Sequence, residues 1–165
     1  MKVIKELISY VVIVVVVVFV RTFIITPVRV NGPSMENSLY NGDILLLEKF
    51  NTSYEQFDIV VANYNNEKII KRVIGLPGDT VKYVDNKLYV NGELIEEPFI
   101  NEATDDFSLQ KIGYDAIPAG YYFLVGDNRD NSLDSRFIGL FSESAIDGKV
   151  VFRIFPFTRI GTLNP

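Results

Sequence analysis

The sequence contains neither cysteine nor histidine. Without cysteine there is no disulfide, no thiol nucleophile and no thiolate zinc site. Without histidine there is no Ser-His-Asp arrangement, and the common zinc sites are gone as well, so neither a metal nor a cofactor is expected. Two missing residue types thus remove most hydrolase mechanisms. Positive charge is also scarce outside the N-terminal stretch. The net charge is −5, of which residues 1–21 carry +2 and the remainder −7. An acidic body argues against nucleic acid as a partner, because phosphate binding needs a basic face.

The 165 residues suffice for one domain with its own core. Valine and isoleucine dominate the apolar fraction, and with nine tyrosines and twelve phenylalanines they favour strands. Residues 7–25 read "LISYVVIVVVVVFVRTFII". As a helix this run is roughly 28 Å long, about one bilayer core. In lipid, a helix is the way for a single segment to satisfy its own backbone. The following "RTFIITPVRV" has no small-residue cleavage pattern, so the reading is an uncleaved transmembrane anchor over residues 1–25. Lys2 and Lys5 precede it and Arg21 and Arg29 follow. The positive-inside rule therefore decides little, and the shortness of the leading tail favours a cytoplasmic N-terminus.

Residues 26–165 read as strands and turns. "DILLLEKF" (43–50), "DIVVANY" (58–64) and "KIIKRVIG" (68–75) are short apolar runs, the last two joined by a hairpin at "NNE". "DTVKYVDNKLYVNGELIEE" (79–97) is a meander with turns at Asp85-Asn86 and Asn91-Gly92. Two more strands fall in "YYFLVGDN" (121–128) and "GKVVFRIFPF" (148–157), with a short turn near "SESAID" (142–147). The expected fold is mostly β: a single N-terminal transmembrane helix followed by an all-β domain of packed antiparallel sheets, with 98–118 as an irregular surface excursion.

"GPSMENSL" (32–39) places Ser34 between a proline and a methionine. A serine hydroxyl needs an adjacent base, and without histidine a neutral lysine is the known alternative. Bringing a lysine from about 10.4 to about 8 requires roughly 3 kcal/mol of destabilisation of its charged form. Lys71 in "KIIKRVIGLPGD" (68–79) meets that demand best, because on a strand it shares a face with Ile69 and Val73 while Arg72 points to the other. The bland alternative is an exposed strand lysine. "GDNRDNSLDSR" (126–136) concentrates three aspartates, two arginines and two serines after an apolar strand. It fails as a calcium loop, since Arg129 stands at the third position from Asp127, and Ser135 replaces the turn glycine when counting from Asp130. "SLQK" (108–111) matches a Ser-x-x-Lys pattern, but its partner motifs are absent.

The ordered set of an N-terminal anchor, "GPSMENSL", "NGDILLLEK", "KRVIGLPGD" and "GDNRDNSLDSR" resembles type I signal peptidases, in their short single-anchor bacterial form. The resemblance covers nearly the whole chain. It implies a Ser-Lys dyad endopeptidase on the outer face of the bacterial cytoplasmic membrane, with Ser34 as nucleophile and Lys71 as general base. It further implies that Ser132 orients the lysine, that Asp127, Asp134 and Arg136 form the scaffold, and that Val28, Val30, Met35, Leu39 and Ile69 line shallow substrate pockets. Implied partners are the signal peptides of exported pre-proteins, membrane lipid and the secretion translocon. The chain departs from the family at Asn37-Ser38, where proline and threonine are usual, at Asn41 where an arginine is common, and at Gly32 and Pro33. Two other readings are a self-cleaving repressor, against which the apolar N-terminus argues, and an anchored paralogue that binds signal peptides without efficient cleavage.

Overall fold

The structure, a computed structural model, describes residues 2–50 and 53–163. Helix α1 covers Lys2–Phe23 and runs into strand β1, Ile25–Arg29. The expectation of a transmembrane helix is corrected here: among the described residues, no helix is long and apolar enough to cross a membrane. Lys5 and Glu6 at one end and Arg21 at the other leave only residues 7–20 uncharged. That stretch is roughly 21 Å long at 1.5 Å per residue, against a hydrocarbon core of about 30 Å. The apolar side chains described along it, from Ile4 to Phe19, are exposed.

The remaining strands are β2 (Ile44–Glu48), β3 (Ile59–Tyr64), β4 (Glu67–Gly75), β5 (Val81–Val84), β6 (Lys87–Val90), β7 (Glu93–Ile95), β8 (Phe107–Ser108), β9 (Tyr121–Val125), β10 (Phe141–Ser142) and β11 (Ile146–Phe155). A single turn of helix, α2, spans Ser135–Ile138. Seven strands form one sheet in the order β1-β2-β11-β3-β4-β9-β10, and four form a second in the order β7-β6-β5-β8. Every strand pairing is antiparallel.

Local chemistry accounts for the tight turns. Asn65-Asn66, Asp85-Asn86 and Asn91-Gly92 all have positive φ at both central positions. Two-residue hairpins require this conformation, and asparagine, aspartate and glycine tolerate it. The large sheet is covered on both sides around β3 and β4, so Ile59, Val60, Val61 and Ala62 are all buried rather than alternating. One face packs Val61 and Ile70 against Val30, Met35, Leu39, Leu45 and Leu47. The other packs Val60, Ala62 and Val73 against Tyr122, Leu124 and Phe141. The small sheet contributes Val81, Tyr83, Leu88, Val90 and Phe107 to a third cluster, closed by Ile74, Phe123 and Val125 of the large sheet. The region 98–118 wraps this seam and carries β8 within it.

Candidate active site

β1 leads through Val30 into the turn that carries Ser34. The turn closes on itself: the Glu36 N–H donates to the Pro33 carbonyl, and the N–H groups of Ser38 and Leu39 both donate to that of Met35. Met35 and Leu39 are buried in the core and pin the turn from below. Gly32 and Asn37 lie at φ +93° and +89°. Proline is locked near −65° and cannot adopt the conformation found at 37, whereas asparagine tolerates it. The departure at Asn37 is therefore matched by a turn of its own geometry.

β4 brings the lysine. Lys71 Nζ lies 2.6 Å from Ser34 Oγ, and the residue is only 3% exposed. Burial lowers its pKa to about 8. Asp134 and Asp127 oppose that shift and Arg136 assists it. The next residue, Arg72, reaches the same turn and donates through Nη2 to the Ser38 hydroxyl at 3.1 Å. Consecutive β4 side chains thus hold Ser34 and Ser38, four residues apart.

The loop after β9 supplies the scaffold. Asp127 accepts from Arg72 Nε at 2.8 Å and Nη2 at 2.7 Å, a bidentate pair with neither side chain more than 2% exposed. Arg72 Nη1 donates to the Phe57 carbonyl, and its guanidinium stacks 3.8 Å from the centre of the Phe99 ring. Asp134 accepts from the Gly126 N–H at 3.0 Å and from both Nε and Nη2 of Arg136 at 2.9 Å, while capping α2 through the Arg136 N–H. Arg136 Nη2 also donates to the Arg129 carbonyl. Asn128 fastens the loop to the turn that carries Ser34: its N–H donates to the Ser34 carbonyl at 3.1 Å and its Nδ2 to that of Pro33 at 3.2 Å.

Four groups in this scaffold escaped sequence reasoning. Arg129 pairs with Glu97 at 2.6 Å, donates to Thr104 Oγ1 at 2.7 Å, and donates through Nε to the Gly126 carbonyl. Tyr83 completes the cluster by donating to Glu97 Oε1. Burial pushes the Tyr83 phenol well above its usual pKa. The small sheet thereby holds the loop after β9. No local signal marked Glu97 or Thr104, which lie 32 and 25 residues before their partner.

The remaining sequence-derived candidates distribute unevenly. Ser132 lies beside Gly126, but its buried hydroxyl has no hydrogen-bond partner, Lys71 included, among the described residues. Val28, Val30, Met35 and Leu39 share one apolar cluster, whereas Ile69 packs with the cluster on the opposite face. Val30, Met35 and Leu39 are fully buried, and Val28 and Ile69 are half-buried. The Ser34 N–H has no acceptor among the described residues.

Gly126 tests how tightly these parts fit. A Cβ at that position would collide with the Ser34 carbonyl and the Ser132 side chain. Gly126→Ala is expected to destabilise the fold by roughly 1–3 kcal/mol and to displace Ser34. Thermal unfolding, and the distance between positions 34 and 71 in a crystal structure of the variant, check this. An unchanged melting temperature with an unmoved Ser34 would contradict it.

The chain matches the signal peptidase family, peptidase S26, over residues 3–155. It is 38% identical over 162 residues to signal peptidase I of Bacillus amyloliquefaciens, covering 89% of this chain and 85% of that protein. It is 41% identical over 151 residues to signal peptidase I V of Bacillus subtilis strain 168, covering 83% and 90% respectively. Among solved structures, it is similar to a signal peptidase I from Enterococcus faecalis V583, with a TM-score of 0.57 and 35% identity, over 59% of this chain and 97% of that one.

Proposed function

Because the chain belongs to the signal peptidase family, peptidase S26, we propose that it hydrolyses its substrate with Ser34 as nucleophile and Lys71 as general base. Membership makes it a serine endopeptidase that acts on signal peptides of exported pre-proteins. The observation that carries the dyad is the 2.6 Å approach of the buried Lys71 Nζ to Ser34 Oγ on the turn after β1.

The chemistry follows from that contact. Neutral Lys71 takes the Ser34 hydroxyl proton as Oγ attacks the scissile carbonyl carbon. The resulting ammonium then protonates the amine of the departing mature chain as the C–N bond breaks and the acyl-enzyme forms. Water attacks the ester next, gives its proton to Lys71, and Ser34 recovers its own on release of the signal peptide. The unengaged Ser34 N–H is available as an oxyanion donor. In this reading Ser132 orients Lys71, and Asp127, Asp134 and Arg136 hold the loop after β9.

Substrate binding uses a free strand edge. β4 pairs with β3 along Glu67–Arg72, but with β9 only from Arg72 onward. Residues 67–71 therefore offer unpaired backbone groups on the side where Ser34 lies, and an extended peptide adds there as a strand. Alternate side chains of that peptide face Val28, backed by Val30, Met35 and Leu39, while Ile69 meets those that point to the opposite face. The family points to a membrane-associated enzyme. The outer side of the cytoplasmic membrane, contact of the exposed apolar face of α1 with lipid, and work beside the secretion translocon complete the proposal.

The test is processing of a pre-protein by the purified chain, with the new N-terminus sequenced. The pH dependence carries a further expectation. Lys71 must be neutral, so kcat/KM should fall about tenfold per pH unit below about 8 and level off above it. An optimum near pH 5 would exclude lysine as the base.

A further inference from the structure

One cavity lies away from the dyad. It lies between the nucleophile turn and the C-terminal segment, with a volume of about 210 Å³. Ser38, Arg72, Arg153 and Thr162 line it, with Ile59 and Leu163 on its apolar wall, and among the described residues no acidic one lines it.

The donors of these residues are incompletely used. Arg153 donates through Nε to the Arg159 carbonyl at 2.7 Å and through Nη1 to the Ser38 carbonyl at 3.0 Å and to Asp43 at 3.2 Å. Its Nη2 has no acceptor among the described residues. Ser38 accepts from Arg72, which leaves its own hydroxyl proton unspent. The Thr162 hydroxyl has no partner among the described residues. Charge points the same way. Arg72 is balanced by Asp127, but Arg153 and Arg159 share the single carboxylate of Asp43. One positive charge thus stays unmatched beside a cavity rich in free donors. A cation meets repulsion there, and an apolar ligand leaves the guanidinium donors unpaired.

We propose that this cavity binds a phosphate-type oxyanion, held by Arg153 Nη2 and the hydroxyls of Ser38 and Thr162. Planar guanidinium donors and hydroxyls match the acceptors of such a group. Inorganic phosphate and the phosphodiester of a lipid headgroup present the same chemistry. Either one, once seated, bridges the C-terminal segment to the turn that carries Ser34.

The experiment uses the full chain in neutral detergent. Melting temperature is followed against inorganic phosphate, with sodium chloride at equal ionic strength as control, and co-sedimentation is followed with phosphatidylglycerol vesicles. A saturable stabilisation by phosphate, growing as the logarithm of its concentration, is expected. Thr162→Val removes one hydrogen bond and should weaken apparent phosphate affinity roughly fivefold to tenfold. Thr162→Glu places a carboxylate in the cavity and should abolish the response. If inorganic phosphate has no effect but vesicle binding falls in both Thr162 variants, the occupant is the lipid phosphodiester. A phosphate effect equal to that of sodium chloride, combined with vesicle binding unaltered by either substitution, overturns the proposal. So does a phosphate response that survives intact in both variants.

Discussion

Ser34→Ala and Lys71→Ala should each reduce processing of a pre-protein to less than about a thousandth of the wild-type rate, the scale seen when a member of a catalytic unit is removed. The losses should not add. Once either partner is gone the other has nothing to act on, so the double variant should match the singles. A separate readout divides catalysis from folding. Lys71 is almost completely buried and its pKa is lowered from 10.5 to about 8, chiefly by that burial. The folded state therefore binds its proton less readily than the unfolded chain. Stability is reduced at and below neutral pH and recovers as pH rises from about 8 towards 10.5. At 1.36 kcal/mol per pH unit, the cost near neutrality is on the order of 3 kcal/mol. Lys71→Met keeps the length and drops the charge. It should be inactive and yet melt higher than wild type at pH 7, with the difference shrinking above pH 10. Processing within tenfold of wild type in either alanine variant would sink the dyad.

Asp127→Ala should cost the most stability of any single change at the site. It removes the bidentate partner of Arg72 and leaves a guanidinium that is 2% exposed with no opposing carboxylate. Breaking a buried pair from one side costs about 3–5 kcal/mol, because the remaining charge is neither solvated nor paired. For a chain of this size that corresponds to roughly 10 °C in melting temperature. The loss has a functional side too, since Arg72 also holds the Ser38 hydroxyl on the nucleophile turn. Replacing both partners by apolar residues of similar volume, Arg72→Met with Asp127→Leu, should restore most of the stability. It should not restore activity, because nothing then ties Ser38 to β4. Urea denaturation of the single and double variants measures both statements. A single variant within 1 kcal/mol of wild type would show that the pair is not what braces the loop.

Some of this architecture is written in short stretches of sequence. The hairpins at Asn65-Asn66, Asp85-Asn86 and Asn91-Gly92 follow from residues that tolerate positive φ between apolar runs. The missing histidine narrows the base to a handful of residue types, and the apolar setting of Lys71 in β4 selects among them. The motif order alone was enough to place the chain beside the signal peptidases. Other features were not legible. Asp127 and Arg72 are 55 residues apart, and nothing local in either motif says which arginine meets which aspartate. Nothing in the stretch 79–97 singles out Glu97, yet it is the buried partner of Arg129. The N-terminal run reads as a membrane span from its apolar residues, but among the described residues no helix is long and apolar enough to cross a membrane.

The sequence by itself determined the residue types available for catalysis, the strand-and-turn rhythm of residues 26–165 and the family. These are properties of short windows, set by φ preferences and by which functional groups are absent. Tertiary structure alone decided the partners: Lys71 against Ser34, Arg72 between Ser38 and Asp127, Arg129 against Glu97, and the donor-lined cavity under the C-terminal segment. Those choices depend on which charges are taken out of water together. Burial makes an unpaired charge costly and a matched one specific, and it is the packing of two sheets, not the order of residues along one strand, that fixes which charges are buried together.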